Sequence, residues 1–330
     1  MIIAAYQAAE TIGNAVESAL RQTAPPLEVV VCDDGSTDDL AGAVSKYRDR
    51  ISLIRQDNQG EGAAKNAAAR SARGEFVTIL DADDLYLPER LEAQAELASA
   101  RPDLDILTSD AYLEVGERTV RTCYGDDWSF DVKDQRAAIL ERNFIFGLAA
   151  VRRSRLLAVG GFDETLPTAT DWDCWIRLIL SGSAAGLVAE PLARYRLHGT
   201  SLSADRAALF RGRVAVLAKT AAHPALTPDE RAAVERNLRA QQAVARLTEA
   251  HEALRDGSPG ARRLALGVAI ETGLPLGARL KAAAAAIAPR AAGRRIELKQ
   301  DRLGRPGPAG VWLAPEAEAS APSDRTPAPR

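Results

Sequence analysis

Through the first hundred residues, apolar and polar positions come in blocks. Short apolar runs at 2–5, 29–32, 51–54 and 76–80 are separated by longer helical segments at about 10–22, 38–48, 61–73 and 88–100. Runs this short and this apolar suit buried strands, and strands that alternate with helices predict a parallel sheet with right-handed crossovers. After Pro88-Glu89-Arg90, a helix start with proline in the first turn, the pattern changes. Asp105-Ile106-Leu107-Thr108-Ser109 reads as a further strand, and 113–123, with Gly116 inside it, reads as a hairpin, so the sheet becomes mixed. A further apolar segment covers 144–152 and precedes the turn Gly160-Gly161-Phe162-Asp163-Glu164. Apolar positions 172, 175, 176 and 179 then recur at helical spacing, which leaves Asp171 in the first turn of a helix. Tyr195 to Ser203 is an extended alternation that ends in a loop with His198 and hydroxyls.

Beyond residue 205 the pattern is helical. Thr227-Pro228-Asp229-Glu230 is a capping box with proline at the first helical position, and it opens a long helix that Gly257 ends. A second helix is predicted over 260–288. From about Arg302 the chain is rich in Pro, Gly, Ala, Ser and Glu and reads as a disordered tail. Three units follow: an α/β domain over 1–205, a helical extension over 206–300 and the tail over 301–330.

Composition narrows the function classes. The 330 residues are 46% hydrophobic and 26% charged with a net charge of −3, which is globular and carries no nucleic-acid signature. The charge is unevenly placed, since residues 206–300 hold 17 Lys/Arg against eight Asp/Glu, and the α/β domain must be acidic. Cys32, Cys123 and Cys174 are far apart and suggest neither a zinc site nor a disulfide framework, which fits a reducing cytoplasm. The start has no leader pattern, and the apolar run at 282–288 is too short to span a bilayer. A cytoplasmic location follows, peripheral to the inner membrane face if the basic extension meets lipid.

The acids sit at strand ends. The second strand runs into Asp33-Asp34-Gly35-Ser36-Thr37-Asp38 and the fourth into Asp81-Ala82-Asp83-Asp84. Parallel strands that end this way put Asp34 and Asp83 on one rim of the sheet, the rim where open α/β sheets bind nucleotide-type ligands. Clustered carboxylates repel one another unless a cation lies between them, and Asp81 with Asp83 offers the hard oxygens that Mg²⁺ or Mn²⁺ takes beside a diphosphate. Ser36 or Thr37 is a candidate cap for the following helix. Gly60-Glu61-Gly62-Ala63-Ala64-Lys65 begins like a dinucleotide fingerprint but has Lys65 for the third glycine and does not follow the first strand. Residues 33–39 lack the spacing of a calcium loop. Taken singly, an isolated Asp-x-Asp is usually a solvated turn, Asp171 a helix-end carboxylate and His198 a structural histidine.

Together these pieces resemble a family. Ala4-Ala5-Tyr6, Gln22, Glu28 to Asp38, Lys65-Asn66, Gly74-Glu75-Phe76 leading to Asp81-Ala82-Asp83-Asp84, Gly160-Gly161-Phe162-Asp163, Asp171-Trp172-Asp173-x-Trp175-x-Arg177-Leu178 and Tyr195-Arg196-x-His198 look, in order over about 1–205, like a family 2 glycosyltransferase of the GT-A fold. The resemblance implies a Rossmann-like, mostly parallel mixed sheet flanked by helices. It implies an inverting transfer from a nucleoside-diphosphate sugar, a UDP-sugar first among them, to a glycan or lipid-linked acceptor in polysaccharide, cell-envelope glycan or glycolipid synthesis. It puts Ala4, Tyr6, Asp34 and Lys65 around the base and ribose and Asp81 and Asp83 at the metal and diphosphate. Asp171 falls at the general base, and His198 at a loop contact to metal or phosphate. Three departures stand out. Thr170 replaces the acidic neighbour of the base, Lys65 stands where arginine is usual, and the first strand begins at Met1, shorter than the pattern. Trp172 and Trp175, three apart on one helix, read as core before they read as sugar platforms. The rival readings are a nucleotidyltransferase, a phosphatase and an inactive nucleotide- or glycan-binding scaffold. For the basic extension two readings stay open: a peripheral contact with anionic lipid, or a solvated subdomain packed on the sheet or on a second copy.

Overall fold

The computed structural model describes residues 1–292 except 117, 126–127, 131–132, 199–204 and 273. The predicted tail and the hydroxyls that follow His198 lie outside these residues. The α/β part runs β1 (Ile2–Ala5), α1 (Ile12–Leu20), β2 (Val30–Asp33), α2 (Leu40–Ala43), β3 (Ser52–Arg55), α3 (Glu61–Ser71), β4 (Phe76–Asp81), β5 (Leu85–Tyr86) and α4 (Arg90–Ala100). It continues with β6 (Ile106–Val115), β7 (Arg118–Thr122), α5 (Gln135–Glu141), β8 (Ala150–Arg152), α6 (Arg153–Ala158), α7 (Thr170–Leu180) and β9 (Ala185–Leu197).

Nine strands make one mixed sheet in the order β3-β2-β1-β4-β8-β6-β9-β5, with β7 paired to β6. The first four are parallel, β8 is antiparallel to both its neighbours, and β6 and β9 are again parallel. The mixed sheet thus begins as an open α/β sheet and changes hand at β8. Why β1, β2 and β4 are continuous apolar runs is visible in their packing. Ile2, Val30, Cys32 and Ile79 enter the core under α3 and α7, while their chain neighbours Ile3, Val31 and Leu80 enter the core under α1 and α2. Successive side chains point to opposite faces, and both faces are covered. Each such aliphatic side chain contributes on the order of 1.5–3 kcal/mol by leaving water.

The hairpin turns at Gly116, whose φ of 61° lies in the left-handed region that glycine takes without strain. Two predicted strand pieces, 105–109 and the start of 113–123, are one continuous strand, β6, because both lie on the same ladder with β9. The predicted helix at 38–48 is only a turn, α2, followed by a 3-10 turn at Ser45–Tyr47. Its cap is Asp39, which accepts from the Gly42 amide, and not Ser36 or Thr37. Those two hydroxyls are engaged by Gln7 just after β1. Asp39 sits one peptide before the first turn, so its carboxylate reaches the free amide that the earlier hydroxyls miss.

The extension is α8 (Arg206–Ala221), α9 (Pro228–Arg255), α10 (Ala261–Ala269) and α11 (Leu276–Ile287). Thr227 and Glu230 form the capping box of α9, and Gly257 follows its end with φ 64°. The single helix predicted over 260–288 is two, because Pro275 has no amide to continue the ladder and α11 starts after it. The extension is fastened to the α/β part by ion pairs. Lys219 on α8 reaches Asp173 of α7 at 2.7 Å, and Arg136 of α5 reaches Glu230 of α9 at 2.5 Å. Among the described residues no helix is long and apolar enough to cross a membrane.

Candidate active site

The rim formed by β1, β2 and β4 carries the acids where the strand pattern places them. Ala4 pairs with Asp81 across β1 and β4, and Ala5 pairs with Asp33 across β1 and β2. Tyr6 leaves the end of β1 and is 52% exposed, a free aromatic face at the rim. Asp34 is buried. One of its oxygens accepts from the Gln59 amide at 2.9 Å and the Gln56 side chain at 2.7 Å, and the other from the Gly60 amide at 2.8 Å. Asp34 therefore shapes the loop between β3 and α3, and Gly60, with φ 93°, lets that loop turn into the helix.

The second acidic stretch divides its labour. Asp81 meets the Lys65 amine at 3.0 Å, and Lys65 also pairs with Glu61 one turn earlier on α3. Burial pulls the Lys65 pKa down, but Asp81 and Glu61 together outweigh it and hold the amine charged. Asp83 is 2.8 Å from the His198 ring nitrogen. Burial, and then the Asp81 charge, push the Asp83 carboxyl above its ordinary range, with the His198 contact opposing. Asp84 is fully buried and accepts from the Arg196 amide on β9. Burial and its two acidic neighbours raise it well above the usual carboxylate value. It fastens the turn after β4 to β9, and so holds Asp83 and His198 within reach of each other.

Asp171 comes from the other half of the molecule. Ala169 takes a left-handed conformation, φ 58°, and turns the chain into α7 so that Asp171 stands in the first turn. One carboxylate oxygen accepts from the Trp172 amide at 2.7 Å and the other from the Asn143 side chain at 2.9 Å. Gly147 passes close by, and a Cβ there would lie 3.2 Å from the carboxylate. Burial raises the Asp171 pKa, with Lys65 opposing. A cavity of about 190 Å³ collects Asp171, Asp81, Asp83, Lys65 and Glu61, with Phe146, Tyr195 and Arg213 in its wall. Ala4, Tyr6 and Asp34 are not among its lining residues and lie on the adjoining rim.

Several motif residues prove to be braces. Asn66 donates to the Phe162 carbonyl and accepts from the Phe162 amide, both at 2.8 Å, which ties α3 to the Gly-Gly-Phe turn. Arg177 grips Asp173 and donates to the carbonyls of Val159 and Gly161. Trp172 and Trp175 are core residues, the first donating to the Ile139 carbonyl and the second fully buried against Phe162. Three contributors escaped the sequence. Asn143 lies in a loop without pattern, and Arg213 is one of many arginines in the extension. Glu61 carried a signal, its i,i+4 spacing to Lys65.

Among the described residues no three His, Cys, Asp or Glu side chains gather closely enough to cage a metal alone. The donor set nevertheless fits a hard divalent ion. Mg²⁺ and Mn²⁺ commonly rest on one or two carboxylates and take the rest of their shell from water and substrate phosphates, and Asp83 and Asp81 face the cavity side by side. Their mutual repulsion, visible in the raised Asp83, is what a cation would relieve.

Known proteins bear on this site. Residues 1–157 match the model of glycosyl transferase family 2. The succinoglycan biosynthesis protein ExoO of Rhizobium meliloti is 41% identical over 117 residues, 33% of this chain and 34% of its own. Uncharacterized glycosyltransferases of Rickettsia are 28% identical, and the chain spans only 31% to 63% of their length. Among solved structures, S. aureus TarS 1–349 in complex with UDP-GlcNAc superposes with a TM-score of 0.60 at 18% identity, over 92% of this chain and 91% of that one. The mannosyltransferase PcManGT of Pyrobaculum calidifontis, in complex with GDP-Man and Mn²⁺, does so with 0.56 at 22%, over 92% and 83%. At those identities the likeness is one of fold, the GT-A fold, and it includes the helices after residue 206. Over residues 1–157, which carry the acidic strand ends, the chain is similar to glycosyl transferase family 2.

Proposed function

We propose that the chain transfers a sugar from a nucleoside-diphosphate sugar to an acceptor hydroxyl with inversion at the anomeric carbon. The observation that supports this most is the cavity that gathers Asp81 and Asp83 from the end of β4 and Asp171 from the start of α7. In this reading Tyr6 and Ala4 meet the base, and Asp34 holds the rim around the ribose. Lys65 orients Asp81 through an ion pair, a role in which a single point charge suffices where a planar guanidinium is usual in the family. Asp83, with Asp81 and His198 beside it, would hold a divalent ion, which when bound would neutralise charge on the diphosphate. Asp171 takes the proton of the acceptor hydroxyl as its oxygen bonds the anomeric carbon and the bond to the diphosphate breaks. Asn143 and the Trp172 amide aim the carboxylate, and its raised pKa brings its basicity nearer to neutral pH. Metal-dependent release of nucleoside diphosphate from a panel of nucleotide-sugars, UDP-sugars first, tests the reading. Release from none of them, with any acceptor, would leave a scaffold.

The donor complexes of TarS and PcManGT support a nucleotide-sugar, and the name of ExoO supports polysaccharide synthesis as the setting. The extension supports a lipid-borne acceptor at a membrane face. Leu276, Leu280 and Ile287 recur on one side of α11 and are 65%, 61% and 83% exposed, and Ile270 at the end of α10 is 77% exposed. Arg262 and Arg263 of α10, Lys281 of α11 and Arg290 just after it are exposed as well. An exposed apolar stripe flanked by cations suits an anionic bilayer surface, where it would lie in the interface without spanning.

A further inference from the structure

Arg213 is a cation with no role in the reading above. It lies on α8, outside the family 2 match, yet its side chain lines the cavity that holds Asp171. Its placement is tight. α8 crosses the loop before α7 at Gly212, where a Cβ would fall 2.0 Å from the Thr168 hydroxyl, and that hydroxyl donates to the Ala208 carbonyl at 3.2 Å. One turn and a half further on, Lys219 locks α8 to Asp173.

The guanidinium is also unsatisfied. Among the described residues Arg213 makes no hydrogen bond and no ion pair, and its contact is the Phe210 ring, 5.4 Å from centroid to guanidinium carbon. Asp171 acts on the guanidinium electrostatically, but both Asp171 oxygens already accept from Trp172 and Asn143. Lys65, the other cation of the cavity, is shared between Glu61 and Asp81. A guanidinium carries five donors in a planar fork that matches a phosphate or carboxylate, and here the fork is half-buried in the cavity wall with no hydrogen-bond partner among the described residues. Burial accordingly lowers its pKa, with Asp171 opposing.

We propose that Arg213 is an anion-recognition residue for the acceptor: it pairs with a phosphate or carboxylate carried next to the hydroxyl that Asp171 deprotonates. The position favours the acceptor over the donor. Asp81 and Asp83 line the same cavity, but the acid that acts on Arg213 is Asp171, which puts the guanidinium on the side of the base. The proposal rests on the transferase reading and deepens it.

The test uses the full chain with Mn²⁺ and UDP, whose own binding is titrated first; if UDP fails to bind, GDP replaces it, and failure of both overturns the donor reading separately. Glucose 6-phosphate, glucuronate and glucose are then titrated by calorimetry into the nucleotide-bound protein. Wild type is expected to bind the phosphate or the carboxylate saturably and glucose at least tenfold more weakly. Arg213→Gln is expected to lose tenfold or more of the anion affinity while nucleotide affinity stays within twofold. Arg213→Lys, which keeps the charge and loses the fork, is expected to fall between, and it carries the test if the Gln variant does not fold. Equal anion affinity in wild type and variant, no saturable anion binding by wild type, or a tenfold loss of nucleotide affinity in place of anion affinity each overturns the assignment.

Discussion

At the ends of β2 and β4, Asp33, Asp34, Asp81, Asp83 and Asp84 sit in or beside the core, and each has a named partner: Arg55, the loop amides before α3, Lys65, His198 and the Arg196 amide. The helices after residue 206 hold their charge differently. Arg262, Arg263, Lys281 and Arg290 stand in solvent, and the apolar residues among them are exposed too. A strand buried on both faces carries charge most readily at its end, and a desolvated carboxylate there survives only with partners. An exposed helix can place a cation at almost any turn at little cost. One region should therefore be broken by single atoms, and the other only by changing several residues at once.

The largest effect should come from the metal side of the cavity. Asp83→Ala is expected to reduce activity to background and to abolish its dependence on divalent ion, with the fold intact by circular dichroism. Unchanged metal titration in that variant would remove Asp83 from the site.

Asp171→Asn comes next. The amide keeps the shape and cannot accept the proton, so transfer should slow by roughly 10²–10⁴-fold with donor affinity near wild type. The sign of the pH dependence follows from burial. A raised Asp171 pKa means that the base is lost as pH falls, so the acid limb of the rate profile should lie above the ordinary aspartate value of 3.8. That limb should be absent from the residual activity of the Asn variant. Loss of donor affinity with a normal rate at saturation would make Asp171 a binding residue.

A brace should cost stability more than chemistry. Asn66→Ala leaves the amide and carbonyl of buried Phe162 unpaired, which at about 1–3 kcal/mol per group should lower the melting temperature by several degrees. A variant that melts like wild type would show that the turn finds other partners.

The smallest effects on the fold belong to the extension. Leu276→Ser with Leu280→Ser should change stability by little, since both side chains are exposed. It should nevertheless abolish flotation with anionic vesicles at low salt, because each leucine contributes on the order of 1.5–3 kcal/mol when it enters the interface. If wild type stays unbound, or elutes as a dimer that the double variant dissolves, the stripe faces another copy of the chain and not lipid.

How much of this was legible in the sequence differs between the same two regions. The strand–helix alternation, the acids at the ends of β2 and β4, and the place of Asp171 at the start of α7 follow from periodicity and position, because a two-faced buried strand and a helix end each leave a local signature. The motifs around Asn66, Gly161 and Arg177 were legible as motifs, but their work as braces was not, since each acts on a residue far away in the chain. The cap of α2 lies two or three residues beyond the predicted Ser36 or Thr37, because four hydroxyls and acids in a row, Ser36 to Asp39, compete for one amide and only the backbone path chooses among them.

By itself the sequence determined which segments are strands and helices, where charge interrupts the apolar pattern, and which acids stand at the rim, all consequences of side-chain period and desolvation cost. Only the tertiary structure decided which acids keep oxygens free for a ligand. Asp33-Asp34 and Asp83-Asp84 are alike as letters, yet Asp34 is taken up by backbone amides and Asp84 is buried on the Arg196 amide, while Asp83 faces the cavity. It also decided that Asn143 aims Asp171 and that α8, docked through Gly212 and Lys219, brings Arg213 beside it. These are contacts between segments tens of residues apart, set by how helices and sheet pack, and no local pattern encodes them.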